Sequence, residues 1–476
     1  MLRSSKKKPF KRKKHFKQAL MLAAFLLLLA STLLGSWQLP VVREFFGQAS
    51  GTPAAILIQA NNSLGPMPRP WRNLAQGGED HNWRLAPVAG LVSELNPEYI
   101  RIDHIYDFYD IVAGTSGSLT FNFTKLDLII DDILATGAKP YIALSYMPPA
   151  ISSGDIVSPP RSYADWQLTV QRTVEHISGT RGISDVYYEV WNEPDLFGGW
   201  KYSGQRNYLE LYSSAARGAA QAQNVKPFKI GGPATTALYK NWIDALARHA
   251  LSNNLRLDFI SWHRYHRSPA QFEQDLINLR SWLAAYPQLE ATVELHLSEW
   301  GHESENDSGY DTTYSAAHTV ATAISMIQPG LRAFVFEIQD GKDPNGKAAW
   351  GRWGFLQHQS FGSVVKPRYQ GLKMLDRLPE QRIQLSGNGT WVKAAAGIDE
   401  QGTVGIVMAN FDPAERNFEV VPVSISSLPP GQYTVTTTYL DGSTSQHIAE
   451  TALRSIEFFV TMPVNSVSYT QLEKTQ

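Results

Sequence analysis

The sequence predicts an α/β fold: a (β/α)8 TIM barrel with a C-terminal antiparallel β-sandwich and an N-terminal transmembrane helix. Three observations in its 476 residues point there. A charge-free apolar run follows a basic amino terminus; strand-like and helix-like stretches then alternate eight times; and short alternating runs take over beyond Leu378. Hydrophobic residues make up 43% of the chain and charged residues 18%, with 13 Trp, 20 Tyr and 20 Phe. That composition supports a large core and excludes general disorder. With no Cys, disulfides, thiolate metal sites and cysteine nucleophiles are excluded too.

The formal net charge of -1 conceals an uneven distribution. Residues 1–17 hold nine Lys and Arg and no acid, which leaves 34 basic against 44 acidic side chains in the remainder. Residues 18–42 carry no charge, and Ala19 to Leu34 is nearly pure Leu, Ala, Met and Phe. About 20 apolar residues cross a bilayer core, so 18–42 reads as a signal-anchor helix behind a basic tail at 1–17. The positive-inside rule places that tail in the cytoplasm and the rest of the chain outside it, at the cell membrane. Secretion after signal cleavage is the alternative reading, but no clean small-x-small site follows the run. A nucleic-acid role for the tail is disfavoured by the apolar span beside it.

A linker at 43–53 leads to the barrel, expected over 54–380. The strand candidates are Ala55–Ala60, Tyr99–His104, Lys139–Tyr146, Val186–Asn192, Lys229–Pro233, Asp258–His263, Thr292–Glu299 and Arg332–Ile338. Amphipathic stretches separate them, from Ala86–Leu95 to a last helix at Pro367–Leu378. A doubly wound dinucleotide fold lacks support, because no Gly-x-Gly-x-x-Gly follows an early strand. Beyond Leu378, runs such as Val404–Ala409 and Tyr433–Tyr439, with turn pairs Pro430-Gly431 and Asp441-Gly442, predict a β-sandwich over 381–465. The last residues, 466–476, read as a loose end.

In such a barrel, chemistry belongs to the loops leaving the carboxyl ends of the strands. The fourth strand ends in Trp191-Asn192-Glu193-Pro194 and the seventh in Ser298-Glu299-Trp300-Gly301. Strict alternation would send Asn192 and Glu193 to opposite faces, so strand geometry must break there for both to reach one pocket. Two carboxyl groups converging on a pocket are the minimum for glycosidic cleavage: an acid to protonate the leaving oxygen and a carboxylate to attack or to activate water. Taken singly, each is an ordinary loop glutamate. Two of them, at strands four and seven and each beside a Trp, favour the catalytic reading.

These segments resemble a clan of retaining (β/α)8 glycosidases, and within it glycoside hydrolase family 39. That family spans β-xylosidases, α-L-iduronidases and bacterial exopolysaccharide glycosidases. The resemblance rests on Phe121-Asn122-Phe123 through Asp127, Gly137-Ala138-Lys139-Pro140-Tyr141, Met147-Pro148, Tyr188 to Asp195, Leu297 to Trp300, and Lys366-Pro367-Arg368-Tyr369. It implies Glu193 as acid/base, Glu299 as nucleophile and Asn192 as partner of the sugar 2-hydroxyl. His263-Arg264-Tyr265 is similar to the clan's His-x-Tyr pattern, in which the Tyr contacts the nucleophile. Arg101 would bond the nucleophile and hold its pKa low. The family pattern Arg-x-His is broken here by Asp103, with His104 one place later.

Other strand-end residues are candidates for sugar binding. His263, Arg264, His266 and Arg267 form a basic cluster able to meet an acidic sugar, or simply to face solvent and neighbouring acids. Glu337 could bond a sugar or pair with Arg352. Trp200, Trp300, Trp350 and Trp353 could stack on pyranose rings or sit in the core. Asp127, Asp131 and Asp132 read as a solvated helix face. No metal site is expected, since His263-x-x-His266 lacks a third ligand nearby, and the resemblance implies no cofactor. The expectation is a membrane-anchored retaining glycoside hydrolase acting on an oligo- or polysaccharide of the envelope, beside polysaccharide-synthesis machinery. Alternatives are a β-xylosidase-like exo-glycosidase and a non-catalytic carbohydrate-binding subunit of an export machine.

Overall fold

The structure is a computed structural model that describes residues 51–475, apart from 79, 82, 343–350, 452 and 453. The basic tail, the apolar span, most of the expected linker and Trp350 lie outside the described residues. Among the described residues, no helix is long and apolar enough to cross a membrane.

Strand β1 (Ile56–Pro66) comes first and is not part of the barrel. The barrel strands are β2 (Asn73–Gln76), β3 (Tyr99–Ile102), β6 (Lys139–Leu144), β7 (Val186–Val190), β8 (Phe228–Thr235), β9 (Phe259–Tyr265), β10 (Glu294–Gly301) and β11 (Leu331–Phe336). A small hairpin of β4 (Val112–Thr115) and β5 (Ser118–Phe121) is inserted after β3. All eight barrel strands pair in parallel and close in the order β10-β11-β2-β3-β6-β7-β8-β9. The predicted barrel is therefore present, but its first strand is misplaced in the sequence reading. Asn-Leu-Ala-Gln carries no hydrophobic signal, whereas Ile56, Ile58 and Ala60 alternate with exposed Leu57 and Gln59, the period of a sheet with one open face.

Alternation along the barrel strands sorts side chains between two cores. Tyr99, Tyr141, Tyr187, Phe259, Phe334 and Phe336 fill the barrel interior. Ile100, Ile142, Tyr188, Ile260, Leu295 and Val335 face the surrounding helices. Helix Thr124–Ala135 shows the matching pattern, burying Leu126, Ile129, Ile130 and Ile133 at helical spacing. Asp132 is buried as well. It takes two bonds from Arg84 (2.7 and 2.8 Å), so the expected solvated face is only partly one.

Beyond helix Pro367–Asp376 come β12 (Gln381–Ser386), β13 (Val392–Ile398), β14 (Val404–Asn410), β15 (Glu419–Ser426), β16 (Gly431–Tyr439), β17 (Thr444–Thr451), β18 (Ser455–Met462) and β19 (Ser466–Lys474). With β1 they form a nine-stranded sheet, ordered β17-β16-β19-β14-β13-β12-β1-β15-β18. It wraps around its own core of Ile56, Ile58, Ile406, Val423, Tyr433, Phe458 and Leu472. His447 of edge strand β17 meets Phe458 of edge strand β18 at 5.9 Å.

Two expectations are corrected here. The sheet is not wholly antiparallel, because β1 runs parallel to β15. The supposed loose end is β19, a central strand between β14 and β16 with Val467, Tyr469 and Leu472 buried. Its Ser- and Thr-rich polar look hides the β-branched and aromatic residues of a paired strand. Ala395, Val407 and Tyr469 point from the sheet's other face into the core they share with the barrel helices. Within the unit from Ala54 to Gln476, barrel and sheet are thus joined.

Candidate active site

Local backbone breaks aim the two glutamates. Strand β7 ends at Val190, and Trp191 and Glu193 both adopt positive φ, 74° and 44°. That irregular turn brings Asn192 and Glu193 to the same pocket, as the alternation argument requires. Strand β10 makes a register shift between Leu297 and Glu299, which pairs Glu299 with His263 of β9. The irregularity turns the Glu299 carboxyl into the barrel mouth.

There, Arg101 on β3 is wholly buried and distributes its guanidinium over three acceptors. Its Nη1 donates to Glu299 Oε1 (2.8 Å), its Nη2 to Asn192 Oδ1 (2.7 Å) and its Nε to Glu189 Oε2 (2.8 Å). Tyr265 OH donates to the other Glu299 oxygen at 3.0 Å. His263 Nδ1 lies 2.8 Å from Glu193 Oε1 and 3.4 Å from Glu299 Oε2, so one ring nitrogen bridges both glutamates. Asn192 Nδ2 donates to Tyr146 OH at 2.9 Å. One carboxylate oxygen of each of Glu193 and Glu299 and one ring nitrogen of His263 all lie within 4.8 Å of one another. Carboxyl groups whose nearest oxygens approach this closely are compatible with direct attack by one of them.

The charges are set mainly by burial. Burial pushes the Glu299 carboxyl above its ordinary pKa, against the opposing positive charges of His263 and Arg101. The expectation that Arg101 holds it low is therefore corrected: the bond is there, but desolvation outweighs it. His263 loses affinity for its proton through burial, yet the two glutamates more than compensate and raise its pKa. Glu189, equally buried, is held below the usual carboxylate range because Arg101 and His263 outweigh desolvation.

A cavity of about 460 Å³ opens over this cluster. Of the predicted residues, Glu193, Glu299, Asn192, Tyr265, His104 and Trp353 line it. Arg101 and His263 lie beneath, without exposure, and act on the glutamates rather than on a bound molecule. Trp300 is a core residue packed on Phe272 at 5.9 Å, and Trp200 packs on Trp191 at 5.3 Å. Glu337 is buried and accepts from Gln76 Nε2 at 2.7 Å and Gly77 N at 3.1 Å, while Arg352 pairs with Asp311. The basic cluster is neutralised locally, Arg264 by Asp275 (2.7 and 3.0 Å) and Arg267 by Glu303 and Asp307 (3.2 and 3.0 Å).

Sequence reasoning missed Glu189, Tyr146 and Asp103 as members of the site. The one available signal for Glu189 is a charge inside an otherwise apolar strand.

This geometry sits in a chain with clear relatives. Two curated β-xylosidases match it, from Caldicellulosiruptor saccharolyticus (28% identity over 317 residues, 61% of this chain) and Geobacillus stearothermophilus (26% over 348 residues, 65% of this chain). The matches span 64% and 66% of those proteins, just under two thirds of their own length. Among solved structures, a monomeric β-xylosidase from Caulobacter crescentus CB15 shares the fold with a TM-score of 0.73 at 21% identity, covering 89% of this chain and 100% of that one. The family 39 enzyme of Xanthomonas axonopodis pv. citri does so at 0.71 and 20%, covering 90% and 99%. The family model described as glycosyl hydrolases family 39 matches residues 54–418, which takes in the whole barrel and its paired glutamates; the chain belongs to that family.

Proposed function

We propose that the protein is a retaining glycoside hydrolase working by double displacement. The observation that carries this reading is the pair Glu193 and Glu299, bridged by His263 with oxygens inside 4.8 Å, at the floor of one cavity. Glu299, ionised, attacks the anomeric carbon while Glu193 delivers its proton to the leaving oxygen. Forming the glycosyl-enzyme neutralises Glu299 and removes a negative charge beside Glu193 and His263. Glu193 then takes a proton from water, whose oxygen bonds to the anomeric carbon as the Glu299–carbon bond breaks, which releases the sugar and restores the Glu299 carboxylate. Arg101 and Tyr265 hold the nucleophile in line through both its oxygens. Asn192, pinned by Arg101 and Tyr146, would bond the sugar 2-hydroxyl.

The two curated relatives described above are β-xylosidases, so an aryl β-D-xyloside is the first substrate to try. The charge-free run at 18–42, preceded by nine basic residues, supports a membrane-anchored form facing outward, where an envelope polysaccharide would be the natural target. A purely carbohydrate-binding role is disfavoured, because a binding groove does not need two carboxyl groups at this separation.

The deciding experiment is incubation with a 2-fluoro glycosyl fluoride followed by peptide mass mapping. Glu299 is expected to carry the label, and label elsewhere would overturn its assignment. Glu193→Gln should lose most turnover of substrates with poor leaving groups, by about 10²–10⁴-fold, while sparing activated aryl glycosides. Equal loss on both classes would remove Glu193 from the acid role. Product analysis with an added acceptor sugar separates hydrolysis from transfer.

A further inference from the structure

Asp103 follows β3 two residues after Arg101 and lines the same cavity as the paired glutamates. It is 7% exposed, and its Oδ1 is buried without a hydrogen-bond partner. A buried carboxyl oxygen left unpaired is costly, and native proteins rarely leave one so without a use for it. Its backbone is well fixed. The next residue, His104, adopts φ 54°, bonds Asp107 at 2.7 Å and stacks on Phe108. Asp107 in turn accepts from Tyr146 N at 3.2 Å. The carboxyl is thus held at the cavity wall by a braced loop, close to the charges of Arg101 and His263 but bonded to neither. Burial raises its pKa against the opposing charges of His104, Arg101 and His263.

The cavity lining contains four acids, Asp103, Glu193, Glu299 and Glu305, and no Lys or Arg among the described residues. The arginines nearby are spent elsewhere: Arg101 on Glu189, Glu299 and Asn192, Arg264 on Asp275, and Arg267 on Glu303 and Asp307. With Glu193 carrying its proton before cleavage, a ligand bearing a carboxylate would still meet the like charge of Glu299 and Glu305, and among the described residues the lining offers it no Lys or Arg. A ligand rich in hydroxyl groups would supply the donor that Asp103 lacks.

We propose that Asp103 reads the sugar held against Glu299 by accepting hydrogen bonds from its hydroxyl groups, and that the cavity selects a neutral sugar over a uronic acid. This rests on the glycosidase reading for the presence of a sugar there, and its test is therefore made on binding as well as turnover. The full chain would be titrated by calorimetry with D-xylose, D-glucose, D-galactose and D-glucuronate, alongside turnover of the corresponding 4-nitrophenyl β-glycosides.

Wild type is expected to bind at least one neutral sugar and to bind glucuronate at least about tenfold more weakly. Asp103→Ala should weaken the neutral sugar at least about tenfold, the loss of one charge-assisted hydrogen bond. Asp103→Asn, which keeps an acceptor oxygen, should recover part of it, with circular dichroism confirming that both variants fold. A monodeoxy sugar lacking the hydroxyl that faces Asp103 should be bound equally by wild type and Asp103→Ala. Unchanged binding in Asp103→Ala, tighter binding of glucuronate, or no sugar binding by the wild type would each overturn the proposal. If the sugars bind in the expected pattern but no glycoside is cleaved, the hydrolase reading fails and the role of Asp103 stands.

Discussion

Arg101 shares one positive charge among Glu189, Asn192 and Glu299, so what the nucleophile feels depends on the carboxylate behind it. Glu189→Gln keeps an acceptor but removes a negative charge. Arg101 then acts more strongly on Glu299, whose pKa falls from its burial-raised position. The acidic limb of the kcat/KM profile should therefore move to lower pH, with a stability cost of at most about 3 kcal/mol, since Glu299 still faces the guanidinium. A fall in kcat with the limb unmoved would mean that Glu189 only supports the fold. At this scale the sequence was most informative where a reactive group ends a strand: Glu193, Glu299, Asn192 and Tyr265 all reach the cavity. It was least informative where side chains meet across the barrel. Nothing in the order of residues shows that Glu189 lies under Arg101, or that Trp300 turns away into the helix layer.

Elements with strong periodicity were legible, and short polar ones were not. The helices and seven barrel strands announce themselves through buried faces, but β2 holds only four residues and is fixed by its neighbours β11 and β3 rather than by its own composition. Strand β19 is the counterpart at the other end of the chain. Truncation before Ser466 would leave β14 and β16 facing each other across a missing strand, with Tyr433, Val435, Val404 and Ile406 losing a paired neighbour. Such a protein should be insoluble or lack cooperative unfolding by circular dichroism. A soluble truncation with wild-type Tm would show that the strand contributes little.

At the scale of the molecule, barrel and sheet share apolar contacts rather than a hinge. Tyr314 and His318, on the helix before β11, pack on Phe411 beyond β14 at 4.9 and 5.1 Å, and Arg377 lies over Tyr469 at 3.9 Å. Calorimetry of the intact chain should accordingly show one transition for the two. Two resolved peaks would mean that the sheet melts independently. A sequence reading that divides the chain at residue 380 cannot foresee this, because β1 belongs to a sheet whose other strands begin beyond that boundary.

Placing β1 there also sets how the body would respond to force. Ala54 N bonds Glu419 across 365 positions, and β1 is locked between β12 and β15, with Ile56, Leu57, Ile58 and Gln59 in register with β15 and the last three of them also paired with β12. A pull on the chain ahead of Ile56 loads these bonds together, in shear, and passes into the sheet before it reaches any barrel strand. The glutamates on β10 and beyond β7 lie off that path, so tension on the amino-terminal segment would be carried by the sheet while the geometry of the cavity stays unstrained.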